Sequence, residues 1–148
     1  MQHRKATFCS ALAVILVGAP QVYAQKIQHV PLNGASTPVT TVLPEELFGT
    51  YRYEKKGEPL VELRADGTGS FQPHMVAPIP IKYWLLADEN GKPARVNGQG
   101  NPNYRLTLVV QYGAGGGGNY PQGGYDAMDW TMNVEEGCAI ILGERYKC

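Results

Sequence analysis

Hydrophobic and polar residues alternate along the stretch from Tyr104 to Tyr112. Every second position of this stretch carries an apolar or aromatic side chain: Tyr104, Leu106, Leu108, Val110 and Tyr112. Successive side chains of a β-strand point to opposite faces, and this alternation is typical of a strand whose one face contacts a core. The stretch is therefore predicted to form a long, half-buried strand.

A second alternating stretch covers 128–135, where the apolar positions are Met128, Trp130, Met132 and Val134. The dipeptide Glu136-Gly137 then predicts a turn into the apolar run 138–142, so the two runs are expected to form a β-hairpin. Shorter strand-like runs precede them, separated by turn residues, at 48–54, 60–64, 70–71, 81–87 and 94–96.

No segment shows a sustained helical period, although 44–47 suits a single helical turn. Strands that follow one another through short turns favour antiparallel pairing between neighbours in sequence. The predicted fold is all-β, a small antiparallel meander of about six to eight strands that closes as a lipocalin-like barrel or packs as a sandwich.

The N-terminus has the organisation of a secretory signal peptide. Arg4 and Lys5 precede an apolar run at 6–19, and Val22-Tyr23-Ala24 has the form of a cleavage site. The run of about 14 residues is shorter than the roughly 20 that a transmembrane helix needs. We therefore expect a signal peptide over 1–24, a mature chain that starts at Gln25, and a secreted or periplasmic protein without a membrane span.

The segment 25–44 has no sustained hydrophobic period, and Pro31, Pro38 and Pro44 lie among small polar residues. It is interpreted as an extended leader. The remaining stretch, 45–148, is long enough for a single domain with one core. We therefore expect a signal peptide, a leader and one β domain.

The charge of the chain gives no reason to expect a nucleic-acid partner. The full sequence holds 13 basic and 13 acidic residues. Removal of Arg4 and Lys5 with the signal peptide leaves a slight acidic excess, and affinity for phosphate depends on clustered Lys and Arg. The only basic pair of the mature chain, Lys55-Lys56, is flanked by Glu54 and Glu58.

Two cysteines remain in the mature chain, Cys138 and Cys148, and an oxidising compartment favours their pairing. A straight strand between them would separate them by roughly 33 Å, whereas a disulfide needs Cα atoms within about 7 Å. The bridge therefore requires that the chain turn back near Gly143. The sequence is compatible both with a disulfide between Cys138 and Cys148 and with two free thiols.

The loop that follows the long strand contains a match to the dinucleotide-binding pattern G-x-G-x-x-G at 113–118. That site needs a helix directly after the glycines, to hold the pyrophosphate at its N-terminus. Pro121 and the pair Gly123-Gly124 prevent such a helix. The loop is interpreted either as a connection between two strands or as a recognition loop in which Tyr112, Tyr120 and Tyr125 line a barrel mouth.

Residues for catalysis are sparse. His29 and His74 are isolated in sequence, so no metal-binding spacing exists. Ser36 and Ser70 are the only serines of the mature chain, and neither lies in a nucleophile motif. We expect no catalytic residue, no metal site and no cofactor, and hence a protein that is not an enzyme.

Aromatic residues are frequent in the predicted strands, and two interpretations of them remain open. Trp84, Trp130 and several tyrosines either pack in the core and across strands, or line a ligand pocket. Pockets in β-barrels are formed at the mouth from aromatic and apolar groups with a few polar anchors. In the second interpretation the ligand contacts come from Tyr112, Tyr120, Tyr125, Trp84 and Trp130.

Leu47-Phe48-Gly49-Thr50-Tyr51 resembles the G-x-W opening strand of lipocalin-like (calycin) barrels, with Tyr in place of Trp. Arg145 resembles the arginine near the end of that barrel. The resemblance implies that Gly49, Tyr51 and Arg145 are structural residues that close one end, where the guanidinium packs on the ring. It also implies a barrel that binds a small apolar molecule.

Two classes of function follow from these patterns. The first is an exported, non-catalytic binding protein whose barrel takes a small hydrophobic or amphipathic ligand. The alternative is a protein-binding factor, such as an inhibitor or an immunity-like protein, that presents the Gly-rich loop to a protein partner.

The signal peptide leads to the first testable prediction. Expression in a host with a general secretion pathway should yield an exported protein whose first residue is Gln25, because the cleavage site ends at Ala24. Intact-mass analysis of the exported material checks this, and a mass that still includes Met1 would contradict it.

Overall fold

A computed structural model describes residues 27–54 and 57–148, and it confirms the all-β prediction. The predicted signal peptide, 1–24, lies outside the described residues. The only helical element in the described part is a single 3₁₀ turn at Glu45–Leu47, and no helix there has the length and apolar character needed to cross a membrane. In chain order the strands are β1 (Gln28–Leu32), β2 (Ala35–Thr40), β3 (Gly49–Tyr53), β4 (Leu60–Leu63), β5 (Thr68–Phe71), β6 (Ile79–Leu86), β7 (Val96–Asn97), β8 (Tyr104–Tyr112), β9 (Tyr125–Asn133), β10 (Cys138–Ile141) and β11 (Arg145–Lys147).

Eight of these strands form a closed antiparallel barrel. Strands β3 to β6 and β8 to β11 each pair with the next, and β11 pairs back onto β3. The step from β6 to β8 keeps the same order, with Ile81 opposite Tyr112 and Leu85 opposite Leu108. The two-residue strand β7 lies in the connection between them and pairs with the start of β8. The barrel is thus an up-and-down meander, one of the two architectures that the sequence pattern left open.

The alternating residues of β8 lie where the pattern placed them. Leu106, Leu108, Val110 and Tyr112 are buried in the barrel core, whereas Arg105 is exposed. An interior of eight strands is just wide enough for side chains to fill it. Here Trp130, Tyr51 and Tyr83 are among the largest fully buried side chains and occupy that space.

One end of the barrel is closed by the 3₁₀ turn. Leu47 is fully buried under the first residues of β3. The hydroxyl of Tyr51 donates to the Leu47 carbonyl at 2.7 Å and accepts from Nε1 of Trp130 at 2.8 Å. Burial raises the pKa of Tyr51, so the hydroxyl keeps its proton and remains a donor. These two bonds join the turn, β3 and β9.

Lys147 packs across the same end. Its Nζ lies 5.3 Å from the centroid of the Tyr51 ring and donates to the carbonyls of Glu46 and Phe48, the latter at 2.7 Å. Gly49 leaves room for this side chain, since a Cβ there would lie 2.9 Å from Cδ of Lys147. The cation, the ring and the glycine therefore form one closing cluster.

The resemblance to lipocalin-like barrels implies that Arg145 packs on the Tyr51 ring, whereas the structure has Lys147 in that position. The strand register explains the difference. Arg145 pairs with Tyr53 in the ladder between β3 and β11, so Lys147, two residues later, comes level with Tyr51. Arg145 is instead directed into the other half of the barrel, where it contacts Phe71 and the Gln72 carbonyl.

The segment interpreted as an extended leader contains the β1–β2 hairpin. Strand β2 pairs with β6 through Val39 and Thr40, and the hairpin lies on the outer surface of the barrel. Val30 and Val39 are buried there against Val109, the one apolar residue of β8 on its otherwise polar face. Burial of this small second cluster holds the segment on the barrel, and folded structure begins well before Glu45.

Cys138 and Cys148 form a disulfide, with their Cα atoms 4.2 Å apart. The chain turns back at 142–144, between β10 and β11, which is the reversal that the bridge requires. The disulfide therefore fastens the last described residue to the start of β10.

The hydroxyl of Tyr51 provides a test of the closed end. Tyr51→Phe removes the group that satisfies both the Leu47 carbonyl and the Trp130 indole, and each buried polar group left without a partner costs about 1–3 kcal/mol. We expect the free energy of unfolding, measured by urea denaturation, to fall by about 2 kcal/mol or more. The control Tyr146→Phe, at a half-buried position of β11, should change it by about 0.5 kcal/mol or less. Equal stability of the two variants would contradict the role of this hydroxyl.

Candidate functional site at the barrel mouth

The end of the barrel opposite the 3₁₀ turn carries a cleft of about 380 Å³. Three connections border it: 72–78 after β5, 113–124 after β8 and 142–144 after β10. We call it the mouth cleft and define it by its aromatic wall, Phe71, Tyr112 and Tyr120, and by its polar residues, His74, Asp126, Glu144 and Arg145.

The aromatic wall consists of three rings in mutual contact. The ring centroids of Tyr112 and Tyr120 are 5.3 Å apart, those of Phe71 and Tyr120 are 5.4 Å apart, and those of Phe71 and Tyr112 are 6.1 Å apart. Phe71 and Tyr112 are buried, whereas Tyr120 is half-buried and packs on the core from outside. Tyr120 therefore covers the top of the core and offers part of its ring to the cleft.

The Gly-rich loop is what positions Tyr120. The loop is tied down at its base, because the Gly113 amide donates to the Pro80 carbonyl at 2.7 Å and the Gly123 amide to the Tyr112 carbonyl at 2.8 Å. Within the loop, Gly116 lies directly against Tyr120: a Cβ there would come within 2.5 Å of the Tyr120 backbone oxygen. The segment thus joins β8 to β9 and also folds an aromatic side chain back over the barrel.

Asp126 is a carboxylate on the inner face of the barrel rim. It lies on the same side of β9 as Met128 and Trp130, which are both buried. Asp126 itself is exposed, since it is only the second residue of β9 and lies at the rim. Its Oδ2 accepts from the Tyr112 hydroxyl at 3.0 Å, and its Oδ1 accepts from the Ala127 amide at 2.8 Å. Burial raises the pKa of Tyr112 and the nearby carboxylate raises it further, so Tyr112 stays protonated and donates.

His74, Glu144 and Arg145 form a connected polar group on the other side of the cleft. Oε1 of Glu144 accepts from Nη1 of Arg145 at 2.5 Å and lies 3.0 Å from Nε2 of His74. The His74 ring also makes an edge contact with Tyr53, with centroids 4.9 Å apart. Glu144 is therefore shared between a buried cation and a half-exposed imidazole.

Arg145 is almost completely buried, with 1% of its surface exposed. Nη2 donates to the Gln72 carbonyl at 2.9 Å, the guanidinium carbon lies 5.5 Å from the Phe71 centroid, and Nε has no hydrogen-bond partner among the described residues. Burial lowers the pKa of Arg145, and the Glu144 carboxylate opposes that shift. The charge of Arg145 is thus already balanced within the protein.

The structure distributes the five aromatic residues that the sequence suggested for ligand contact over three places. Tyr112 and Tyr120 line the mouth cleft. Trp130 is part of the core near the closed end. Trp84 and Tyr125 pack together on the outer surface, with ring centroids 6.2 Å apart, beside the β1–β2 hairpin.

Sequence reasoning did not identify His74, Asp126 or Glu144 as neighbours in one cleft. For Asp126 the signal was present: extending the alternation of Met128 and Trp130 back by two residues places a carboxylate on the inner face. For His74 and Glu144 there was no signal, because they belong to two loops 70 positions apart that meet only when the barrel closes.

Within residues 27–54 and 57–148, no group of three or more His, Cys, Asp or Glu side chains is arranged to hold a metal ion.

Comparison of the chain with known protein families, with curated proteins and with solved structures finds no match.

The contact between Gly116 and Tyr120 can be tested with a matched pair of alanines. A methyl group at Gly116 would lie 2.5 Å from Cβ of Tyr120 and 2.8 Å from Cδ1 of Ile79, whereas a methyl group at Gly118 would meet nothing within 4 Å. Gly116→Ala should therefore lower the free energy of unfolding by about 1–3 kcal/mol, the usual cost of overpacking. Gly118→Ala should change it by about 0.5 kcal/mol or less. Equal effects in urea denaturation would show that the loop does not fold back in this way.

Proposed function

We propose that this chain is an exported, non-catalytic binding protein that takes a small amphipathic ligand in the mouth cleft. The observation that carries the proposal is that the aromatic wall of Phe71, Tyr112 and Tyr120 lines one cleft together with the polar side chains of Asp126 and Glu144. Pockets for small ligands typically combine such apolar surface with a few polar groups that fix orientation. The volume of about 380 Å³ lies within the usual range for such pockets.

The filled interior supports a ligand at the mouth and not deep in the barrel. Trp130, Tyr51 and Tyr83 occupy the interior, which some other eight-stranded barrels leave free for one small ligand. The closed barrel is compatible with a lipocalin-like protein, and we propose that relationship on the barrel and on the closing cluster around Tyr51. In this proposal the ligand binds at the rim of the barrel and not in its interior.

Export rests on the predicted signal peptide, and the disulfide agrees with it. Bonds such as that between Cys138 and Cys148 persist in oxidising compartments and are rare in the cytosol. We therefore propose a secreted or periplasmic protein.

A protein partner is the second candidate, and one observation favours it. Met75 lies at the tip of the 72–78 connection with its side chain completely exposed and its backbone at φ 63°, beside the mouth cleft. An exposed methionine held in the left-handed region, in a connection that borders the same cleft as the Gly-rich loop, fits an inhibitor or immunity-like protein that presents this rim to a partner. Native mass spectrometry of the protein purified from its host distinguishes the two: a retained small molecule supports the first candidate, and a stoichiometric protein supports the second.

The cleft makes a specific prediction for a neutral amphiphile. We expect titration with octanol, followed by ¹H–¹⁵N NMR, to shift amide resonances around Tyr112 and Tyr120. Tyr120→Ala removes the exposed part of the aromatic wall and should weaken octanol binding about tenfold or more. Tyr125→Ala removes an aromatic ring from the outer surface and should leave affinity within about twofold. Shifts centred on Trp84 and Tyr125 would place the binding site elsewhere and contradict the proposal.

A further inference from the structure

The charges around the mouth cleft are not balanced. Arg145 donates hydrogen bonds to the Glu144 carboxylate and to the Gln72 carbonyl. Asp126, on the opposite side, makes hydrogen bonds to Tyr112 and Ala127 but no ion pair with any cation of the described residues. Glu144 and Arg145 compensate each other, so the uncompensated carboxylate of the cleft is Asp126.

That charge lies beside ring surface that also attracts cations. Tyr112 donates to the Asp126 carboxylate, and the ring of Tyr120 lies 5.3 Å from that of Tyr112. The face of an aromatic ring carries the negative part of its quadrupole, which attracts an ammonium group within about 6 Å of the centroid. A carboxylate and exposed tyrosine surface thus meet at one point of the rim.

An anionic ligand group has no comparable place in this cleft. Arg145 has only 1% of its surface exposed, so a carboxylate could reach it only by displacing Glu144. Such a ligand would bring a further negative charge next to Asp126 and would leave Glu144 without its cation.

We propose that the ligand of the mouth cleft carries a cationic amine, a primary or quaternary ammonium, which lies against Asp126 and the exposed part of the Tyr120 ring. Its apolar part then covers the remaining surface of Tyr120 and Phe71. This inference rests on the proposed function, since it names the chemical class of the ligand for that same cleft.

The first experiment uses the unaltered protein and three probes with one alkyl chain: octyltrimethylammonium, octanol and octanoate. Affinity measured by isothermal titration calorimetry at low salt should rank the ammonium first, tighter than octanol by about tenfold, and octanoate last. An octanoate affinity equal to or above that of the ammonium would overturn the inference, while binding of octanol would still support the proposed function. Failure of all three probes to bind at the cleft would overturn both.

The second experiment locates the charge with two variants on one strand. Asp126→Asn keeps the size of the side chain and an acceptor oxygen for Tyr112 but removes the charge, and it should weaken binding of octyltrimethylammonium by about tenfold while leaving octanol within about twofold. Asp129→Asn removes the same charge three residues further along β9, on an exposed side chain outside the mouth cleft. It should leave the affinity for both probes unchanged. Equal loss in the two variants would show a general effect of net charge and would overturn the assignment to Asp126.

Discussion

Side chains fill the interior of this eight-stranded barrel, and this filled core constrains the rest of the molecule. Every second residue of the long strands must be apolar and of suitable volume, which is why Leu106 and Leu108 follow the polar residues Arg105 and Thr107 on β8. Polar groups that do enter the core need partners there. Trp130 donates to the Tyr51 hydroxyl, which donates to the Leu47 carbonyl of the 3₁₀ turn, so this buried polar contact also holds the turn that closes the end.

Because apolar side chains fill the middle of the barrel, the inward-facing charged side chains lie at its two ends. Lys147 lies over Tyr51 at the closed end and bonds to backbone carbonyls, and Arg145 lies below the mouth with Glu144 and the Gln72 carbonyl. Both cations are on β11, two residues apart, and both face inward. One short strand thus supplies one cation to each end of the core, and both cations make hydrogen bonds within the protein. The rim remains for recognition, because Asp126 has no cation as a partner among the described residues.

The parts of the fold that follow from a local period were predictable from sequence, and the parts that depend on chain closure were not. The alternation in β8 predicted its buried face, and turn residues predicted most strand boundaries. Val109 does not fit that alternation, because it packs against the hairpin in 28–40. Pro31 and Pro38 argue against strands in that segment. The strands tolerate these prolines because β1 is an edge strand and β2 pairs with β6 at only two residues. The order of the two cations on β11 depends on the register with β3, which no short motif encodes. The mouth cleft likewise joins loops that are distant in sequence.

The two tryptophans of the chain lie in different layers of the molecule. Trp130 is fully buried in the barrel core, whereas Trp84 lies outside the barrel, where its Nε1 donates to the Gln28 side chain of the hairpin at 3.1 Å. Intrinsic fluorescence therefore contains two separate signals. The emission of Trp130 reports on whether the barrel is folded, and the emission of Trp84 reports on whether the N-terminal hairpin is packed on the barrel. Replacing one tryptophan by phenylalanine therefore isolates the fluorescence of the other, without an added label.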